Sequence, residues 1–451
     1  MKTPRTSKLF IFSLLLMVFA SCDRKSEYNV YEGADVISDN GSGTGTTTWT
    51  SDRNYLLDGF VFVNDGQTLT IEAGTVIRAK TGQGENASAL IVARGGKIKA
   101  LGSSVNPIIF TCEGDDLEGS VPTFSKGLWG GVIILGNAPL NNEFSEAHVE
   151  GIPFTEPRGV YGGPDEEDDS GILRYVSIRH GGTNIGSENE INGLTLGGVG
   201  NTTIIEYVEV IANKDDGIEF FGGTVDCKYI VSAFNADDAF DYDQGYHGRG
   251  QFWLGIQDPA EGDLLIEGSG GLDPELGQPN SIPMIYNCTL IGRGNNITNR
   301  TIQLNLYAGG HFGNSIMINQ HNGVYIQYKD GFNNCFDQFQ NNNITLNHNI
   351  FWDVAENIAT DVFRVYAEAG VDVTNQNAIF SNYFEEAANV ITNPEIGISE
   401  SSYNVLPAGN ISDNMGAYPD SWFSNAGFKG AFLYDNWARN WTLIHQSGWI
   451  E

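Results

Sequence analysis

The chain has 451 residues and a formal charge of −32 at neutral pH, because 56 acidic residues face only 24 basic ones. Such an acidic surface repels phosphate backbones, so a nucleic-acid partner is not expected. It favours divalent cations, basic partners or simple solubility. Glycine supplies 56 residues without the period of collagen, which predicts an all-β chain rich in tight turns.

The first 21 residues have the layout of a secretory signal. Three bases and no acid occupy the first eight positions, and an apolar run follows from Leu9 to Ala20. This run is shorter than the ~20 apolar residues that span a bilayer. It ends in Phe19-Ala20-Ser21-Cys22, which resembles the bacterial lipobox. We expect Cys22 to be lipidated and to anchor an outer-membrane lipoprotein in the membrane, at the cell surface or on the periplasmic side. An ordinary cleaved signal with a chance cysteine is the alternative.

The mature chain divides into three parts by composition. Cleavage before Cys22 removes three of the 24 bases and none of the 56 acids, which leaves a charge of −35. Residues 22–50 are polar and rich in Gly, Ser and Thr, as in a flexible tether. Residues 51–405 are the predicted folded body, in which the acid-rich residues 141–170 are expected to form an inserted surface loop. Residues 406–451 hold four of the eight tryptophans and are predicted to form a cap that plugs the open end of that body; an exposed sugar-stacking platform is the alternative.

The folded body shows short alternating strands separated by turns. Residues 67–77 alternate apolar and polar side chains on both sides of Gly74, residues 89–98 repeat the scheme, and residues 107–111 add a third short strand. Segments 285–291, 323–328 and 344–351 have the same character, and residues 353–370 show a modest helical periodicity. Strands this short bury a face only when they are stacked as successive coils. We therefore predict a right-handed parallel β-helix of about a dozen coils.

A repeat of 22 residues gives the most specific support for this fold. Residues 213–220 (NKDDGIEF) recur as residues 235–242 (NADDAFDY). One coil of three short strands with their turns has about this length, and neighbouring coils lie ~4.8 Å apart. Asn213 and Asn235 are expected to stack as a ladder that satisfies buried turn backbone.

Four cysteines remain in the mature chain besides Cys22, at positions 112, 227, 288 and 335. In an exported protein they allow two disulfides with three possible connectivities. Buried free thiols inside the solenoid are the alternative, because a core of this size does not depend on disulfides.

The chain carries several distinctive segments besides its general strand pattern. They are residues 127–136 (GLWGGVIILG), 175–182 (YVSIRHGG), the two repeats, and the ending with Gly430-Ala431-Phe432, Asn436-Trp437 and Asn440-Trp441-Thr442. Together these segments resemble a group of uncharacterised secreted right-handed parallel β-helix lipoproteins of Bacteroidota. The resemblance covers most of the mature chain and implies the fold and the compartment, but it implies no activity.

The acidic side chains of the repeat are candidate ligands for Ca²⁺. Carboxylates on neighbouring coils lie about 5 Å apart and can share a hard cation. Without a cation, like charges this close raise one another's pKa. The alternative is that these acids point to solvent and pair with turn amides. The predicted ligands are Asp215, Asp216, Glu219, Asp237, Asp238, Asp241 and Asp243.

A polysaccharide-degrading enzyme is the second interpretation of the same region. Residues 213–215, 237–238 and 246–249 loosely echo the Asn-x-Asp, Asp-Asp and Gly-His-Gly motifs of pectinase-like glycosidases of this fold, but no Arg-x-Lys pair follows. Asp215, Asp237, Asp238 and His247 would then be the catalytic candidates. The favoured interpretation is a non-catalytic binding or structural module of the cell envelope, stabilised by Ca²⁺, that contacts a glycan or a protein partner.

Overall fold

In the computed structural model, which describes residues 33–451 except 187, 188, 272 and 273, the chain winds as a parallel β-helix with three faces. Each coil contributes one strand to each face, and every strand pairs in parallel with its counterparts on the neighbouring coils. The predicted strands and the 22-residue repeat are confirmed, since Ile218 pairs with Phe240. No helix in the described residues is long and apolar enough to cross a membrane.

The strands fall into four sets. The first face holds Phe60–Val63, Ala89–Val92, Val132–Leu135, Leu194–Gly197, Ile218–Phe221, Phe240–Asp243, Ile266–Ser269, Arg300–Asn305, Asn322–Gln327 and Phe363–Tyr366. The second face holds Thr47–Trp49, Thr68–Ile71, Lys97–Leu101, Met284–Tyr286, Gly310–Gly313 and Ile344–Asn347. The third face holds Asp35–Ser38, Tyr55–Asp58, Val76–Ala79, Ile108–Cys112, Thr289–Gly294, Ile316–Gln320, Ile350–Val354 and Val390–Ile391. Four long strands serve the second and third faces together: Gly171–Arg179, Ile204–Ile211, Asp226–Ala233 and Arg249–Ile256.

Each long strand bends at an aromatic residue where it passes from the second face to the third. Tyr175, Tyr207, Tyr229 and Phe252 have φ between 51° and 62°, a left-handed conformation that bulky side chains rarely adopt. Their rings stack on one another with centroids 4.4, 4.4 and 4.9 Å apart. The stack offsets part of the cost of the bend.

The remaining elements are short strand pairs and a few helices. The strand pairs are Ala147–His148 with Val160–Tyr161, Asn184–Gly186 with Asn189–Glu190, and Gly397–Ile398 with Tyr403–Asn404. The α-helices are Cys335–Gln340, Ala359–Val362, Thr374–Glu386 and Leu443–Gln446, and the 3₁₀ helices are Gly84–Asn86, Pro157–Gly159 and Ala355–Asn357.

Alternation along the strands sends one set of side chains into the core and the other outward. On the first face, Leu90 and Val132 point into the core, whereas Ile91 and Ile133 point outward. Residues 141–170, predicted as an inserted surface loop, fold back over these outward side chains at the N-terminal coils. Further along the same face the outer side is not covered in this way, and the acidic residues of the repeat lie there.

The C-terminal segment, residues 406–451, covers the outer side of the third face. Its buried residues Phe432, Ala438 and Ile444 form one apolar cluster with outward side chains such as Val231 and Leu254. The prediction that the tryptophans plug the open end is therefore wrong in its location. They cap the flank, because one row of outward side chains on the third face is apolar from Ile211 to Ile318 and needs cover over that stretch.

The end of the solenoid is closed by another element. Helix Thr374–Glu386 packs Phe380 and Phe384 against the core residues Phe351 and Phe363. Residues 353–370, predicted as a short helical excursion, contain the strand Phe363–Tyr366 as well as a helical turn.

The predicted tether is shorter than expected. Residues 35–38 and 47–49 pair with the strands of the next coil, so the solenoid begins before residue 51. The Thr-rich composition of the predicted tether suits the first coil of a solenoid as well as a linker, since Thr is a good strand former. Cys22 and residues 23–32 of the predicted tether lie outside the described residues.

The four cysteines of the body are free and buried. Burial raises the pKa of the Cys112 thiol to about 11, and the nearby charge of Asp115 adds to this effect. Their place in the core makes them packing residues, as the free-thiol alternative predicted.

Candidate metal-binding cleft

A row of polar side chains replaces the apolar ones on the outer side of the first face. In strand register, Ile133 is followed by Thr195, Glu219, Asp241 and Glu267 on successive coils. Neighbouring strands of a sheet lie ~4.8 Å apart, so three carboxylates are held side by side on three adjacent strands.

Two turns bring further acids to the same place. Residues 213–217 and 235–239 connect the third face to the first, and they carry Asp215 with Asp216 and Asp237 with Asp238. The backbone N–H of Asp238 donates to Oδ1 of Asp216 at 2.9 Å, and the N–H of Leu264 donates to Oδ1 of Asp238 at 2.6 Å. One oxygen of each buried aspartate therefore fixes the turn of the next coil.

The asparagine ladder that the repeat predicted is present behind these turns. Oδ1 of Asn235 accepts a hydrogen bond from the backbone N–H of Asn213 at 3.1 Å, and Nδ2 of Asn235 donates to Oγ of Ser232 at 2.8 Å. Both asparagines are buried. The ladder fixes the position of each turn along the solenoid axis, and with it the position of the acidic pair that the turn carries.

The result is an open cleft of about 420 Å³. Among the described residues, nine acids and one amide line it. They are Glu150, Glu190, Asn192, Asp215, Asp216, Glu219, Asp237, Asp238, Asp241 and Glu267.

The carboxylates form three groups in which the candidate ligand oxygens lie within 4.8 Å of one another. Oxygens bound to one Ca²⁺ at 2.3–2.6 Å can be this far apart. Asp216 belongs to two of the groups, as does Asp237. The groups are Asp215 with Asp216 and Asp237, Asp216 with Glu219 and Asp241, and Asp237 with Asp238 and Asp263.

Two oxygens in the cleft are buried without a hydrogen-bond partner. Asn192 is 1% exposed, and its Nδ2 donates to Glu150 Oε1 at 2.9 Å and to Glu219 Oε2 at 2.5 Å. Its Oδ1 and the Oδ1 of Asp241 accept no hydrogen bond. Buried polar atoms are rarely left in this state, and amide and carboxylate oxygens are the ligands that Ca²⁺ takes.

Burial and mutual repulsion disfavour the ionised form of the carboxyl groups in the cleft. Burial raises the pKa of Asp215 to about 7, with the charges of Glu150 and Asp237 adding to the effect. Burial, followed by neighbouring carboxylates, raises the pKa of Asp216 and of Glu219 well above the usual range. Either protons or a cation must compensate these groups.

The structure brings six of the seven predicted metal ligands to the cleft, and Asp243 lies outside it. Asp243 is in register with Phe221, and its Oδ1 accepts a hydrogen bond from the N–H of Gln244. It points outward on the same strand as Asp241, but two residues further along.

His247 is also not brought to the cleft, so the predicted catalytic set does not assemble. It follows the strand Phe240–Asp243, whereas Asp237 and Asp238 precede that strand, and four strand residues span about 13 Å. Its Nδ1 lies 2.7 Å from the carbonyl oxygen of Gly245. The three aspartates of the set do lie together.

Four lining residues were not predicted: Glu150, Glu190, Asn192 and Glu267. Glu267 is one coil beyond Asp241, but 26 residues beyond it in sequence instead of 22, because the intervening loop is longer. A search for Ile-Glu after a lengthened repeat would have found it. Glu150 comes from the insertion 141–170, and its place depends on how that insertion folds.

Comparison with known protein families matches residues 41–393 to a pectate-lyase-like β-helix domain. No curated protein matches the chain. No solved structure matches it either. The matched span covers nearly all of the three-faced solenoid and includes the whole cleft. The chain therefore belongs to the pectate-lyase-like β-helix family.

Proposed function

We propose that this protein is a non-catalytic β-helix module that binds Ca²⁺ in the acidic cleft and contacts an anionic glycan through it. The observation that carries the proposal is the buried Oδ1 of Asp241, which has no hydrogen-bond partner and belongs to a group of carboxylates whose oxygens lie within 4.8 Å of one another. A hard cation satisfies this oxygen and the repulsion between the acids at the same time. The residues best placed to hold it are Asp216, Glu219 and Asp241.

The contact with an anionic glycan follows from the charge of a loaded cleft. The cleft is open to solvent and lies on a long sheet face, so a polymer can lie along it. A bound Ca²⁺ that keeps an open coordination position can take a carboxylate or sulfate oxygen of a sugar. Membership in a polysaccharide-related family supports a sugar as the partner.

Calcium titration tests the cation site directly. The chelator-treated protein is titrated with CaCl₂ in a calorimeter, beside Asp216→Asn and the control Asp243→Asn. We expect binding by the wild type, a loss of at least about tenfold in Asp216→Asn, and wild-type affinity in Asp243→Asn. A melting temperature that Ca²⁺ and chelator leave unchanged, with no heat of binding, would overturn the proposal.

A polysaccharide-degrading enzyme remains the second candidate, because burial and nearby acids bring the pKa of Asp215 to about 7. A carboxyl group that titrates near neutral pH suits general acid catalysis. Against this, the ten lining residues offer acids and an amide, whereas lyase chemistry on uronates uses a base of the Arg or Lys type. Turnover of acidic or neutral glycans that disappears in Asp238→Asn would establish the enzyme.

We also propose that Cys22 anchors the protein in the outer membrane and that the chain groups with the Bacteroidota lipoproteins it resembles. The support is the lipobox-like sequence at residues 19–22. Fractionation of cells that express wild type and Cys22→Ser tests the anchor. The wild type is expected with the membranes and the variant in the soluble fraction; identical distributions would contradict the anchor.

A further inference from the structure

A second group of polar side chains continues the first face beyond the cleft. In strand register, Glu267 is followed by Gln303, Tyr325 and Arg364 on the next three coils. At ~4.8 Å per strand, this row extends roughly 14 Å past Glu267. A ligand that lies along the solenoid axis from the cleft passes over it.

Arg300 lies beside this row, at the start of the strand that carries Gln303, and is its distinctive neighbour. Its guanidinium carbon lies 4.5 Å from the ring centroid of Tyr325 and 4.9 Å from that of Tyr366. Both rings attract the cation, and both are fixed, since Tyr325 donates to Oδ1 of Asn322 at 3.1 Å and Tyr366 donates to Oδ1 of Asn305.

The guanidinium of Arg300 has no protein partner for its N–H groups among the residues that the structure describes. Neighbouring Arg364, by contrast, is paired with Asp361. In a chain of charge −32, a half-buried arginine that keeps its donors unused and its orientation fixed is well suited to a planar anion.

Hydrogen bonds connect the ring of Tyr366, on which Arg300 stacks, to the cleft. Asn305 donates to Oε1 of Glu267 at 2.6 Å and accepts from the hydroxyl of Tyr366, on which Arg300 stacks. Gln303 donates to the same oxygen of Glu267 at 3.1 Å. The wall of the cleft and the support of Arg300 are thus one connected surface.

A small pocket lies beside this surface and shares Tyr325 with it, although Arg300 itself does not line the pocket. It has a volume of about 230 Å³, which suits one ring of a sugar better than a drug-sized molecule. Its carboxylate and amide groups suit neutral hydroxyl groups, so the anionic group of a sugar is left to Arg300. The polar lining residues are His321, Asn322, Tyr325, Glu356, Asp361 and Arg364.

We infer that Arg300 forms a subsite for the carboxylate or sulfate group of one sugar in an acidic glycan that also contacts the cleft. This inference rests on the proposed Ca²⁺ site, because an anion beside nine uncompensated carboxylates would be repelled. Calcium in the cleft and an anionic sugar at Arg300 therefore favour each other, and the coupling is reciprocal.

Calorimetry with defined tetrasaccharides tests the subsite. The probes are a galacturonate tetramer, a sulfated galactose tetramer and an unsubstituted galactose tetramer, each in excess CaCl₂. We expect one acidic tetramer to bind and the neutral one to bind more than about tenfold more weakly. Arg300→Gln should weaken the acidic tetramer about ten- to a hundredfold, as for a lost charged hydrogen bond, and Arg300→Lys should lie between.

Calcium titration without sugar separates this inference from the proposed function. Arg300→Gln should keep the wild-type Ca²⁺ affinity, and the control Arg439→Gln, an exposed arginine of the C-terminal segment, should keep both affinities. Equal binding of acidic tetramers by wild type and Arg300→Gln, equal binding of acidic and neutral tetramers, or no binding of either acidic tetramer would overturn the subsite. Loss of Ca²⁺ binding in the wild type would instead overturn the cleft.

Discussion

Asp215 gives the cleft a pH dependence whose sign can be worked out. Its carboxyl is ionised above a pKa near 3.8 when the chain is unfolded, and burial followed by the charge of Glu150 raises the folded pKa to about 7. The folded state therefore holds this proton more tightly than the unfolded state. Its contribution to stability is present below about pH 4 and is lost as the pH rises to about 7. Asp216 and Glu219 shift in the same direction.

We predict that the chelator-treated protein melts at a lower temperature at about pH 8 than at about pH 5, by several degrees. Added Ca²⁺ should raise the melting temperature most at about pH 8, where the carboxylates are ionised. Scanning calorimetry across this range measures both effects. Asp215→Asn should flatten the slope, and a melting temperature that rises with pH in the chelated wild type would contradict the prediction.

The sequence predicts those site residues whose position follows from strict repetition. Asp216 and Asp238 are 22 residues apart, and that offset is one coil, so their proximity could be derived. Asp243 shares the sequence pattern, but strand geometry carries it past the cleft. Glu150 enters from an insertion, and no periodicity encodes how an insertion folds back.

At the scale of the secondary structure, the two turns that begin with Asn213 and Asn235 position the acidic residues of the site. Oδ1 of Asn235 is the acceptor for the buried N–H of Asn213. The turn also tolerates no larger residue at Gly217, because an added Cβ would lie 2.0 Å from Oγ of Ser232. Each acidic pair is therefore placed by a turn with little freedom.

We predict that Asn235→Ala lowers the free energy of unfolding by about 1–3 kcal/mol, since it leaves a buried N–H unsatisfied. The measurement is equilibrium denaturation in urea. The exposed Asn296 provides the matched control, and Asn296→Ala should change stability by less than about 0.5 kcal/mol. Equal stability of the two variants would show that the ladder carries no weight.

The stacking of the coils could be predicted from the sequence. Alternating short strands have one good way to bury their faces, which is to stack. The course of the C-terminal segment was not predictable, because its tryptophans indicate burial without indicating the surface they bury. An apolar outward row on the third face, with Ala233, Ile256 and Ile291 on successive coils, is the signal that could have shown it.

For the whole molecule, the C-terminal segment ties distant coils together. Trp441 is fully buried and lies edge-on to Tyr175 at 5.6 Å and to Tyr207 at 6.5 Å between ring centroids. The carboxylate of Glu209 accepts the backbone N–H groups of Leu443 and Ile444 at 2.7 and 3.0 Å. Further along the flank, the N–H of Gly430 donates to the carbonyl oxygen of Asn314 at 2.8 Å and Lys228 donates to the carbonyl oxygen of Trp422 at 2.7 Å. The segment is thus attached along several coils, and Trp441 and Glu209 hold its last part.

We predict that Trp441→Ala releases this segment before the solenoid unfolds. Loss of a buried tryptophan costs about 3–5 kcal/mol, and that cost falls on the contact between segment and coils instead of on the stacked strands. Limited proteolysis should therefore cut the variant within residues 406–451 at protease levels that spare the wild type, while the solenoid stays intact. Tyr434→Ala, which changes a side chain that is 88% exposed, should behave as the wild type does. If Trp441→Ala instead exposed sites throughout the chain at once, segment and solenoid would be one cooperative unit, and the apolar third face would depend on its cover to fold.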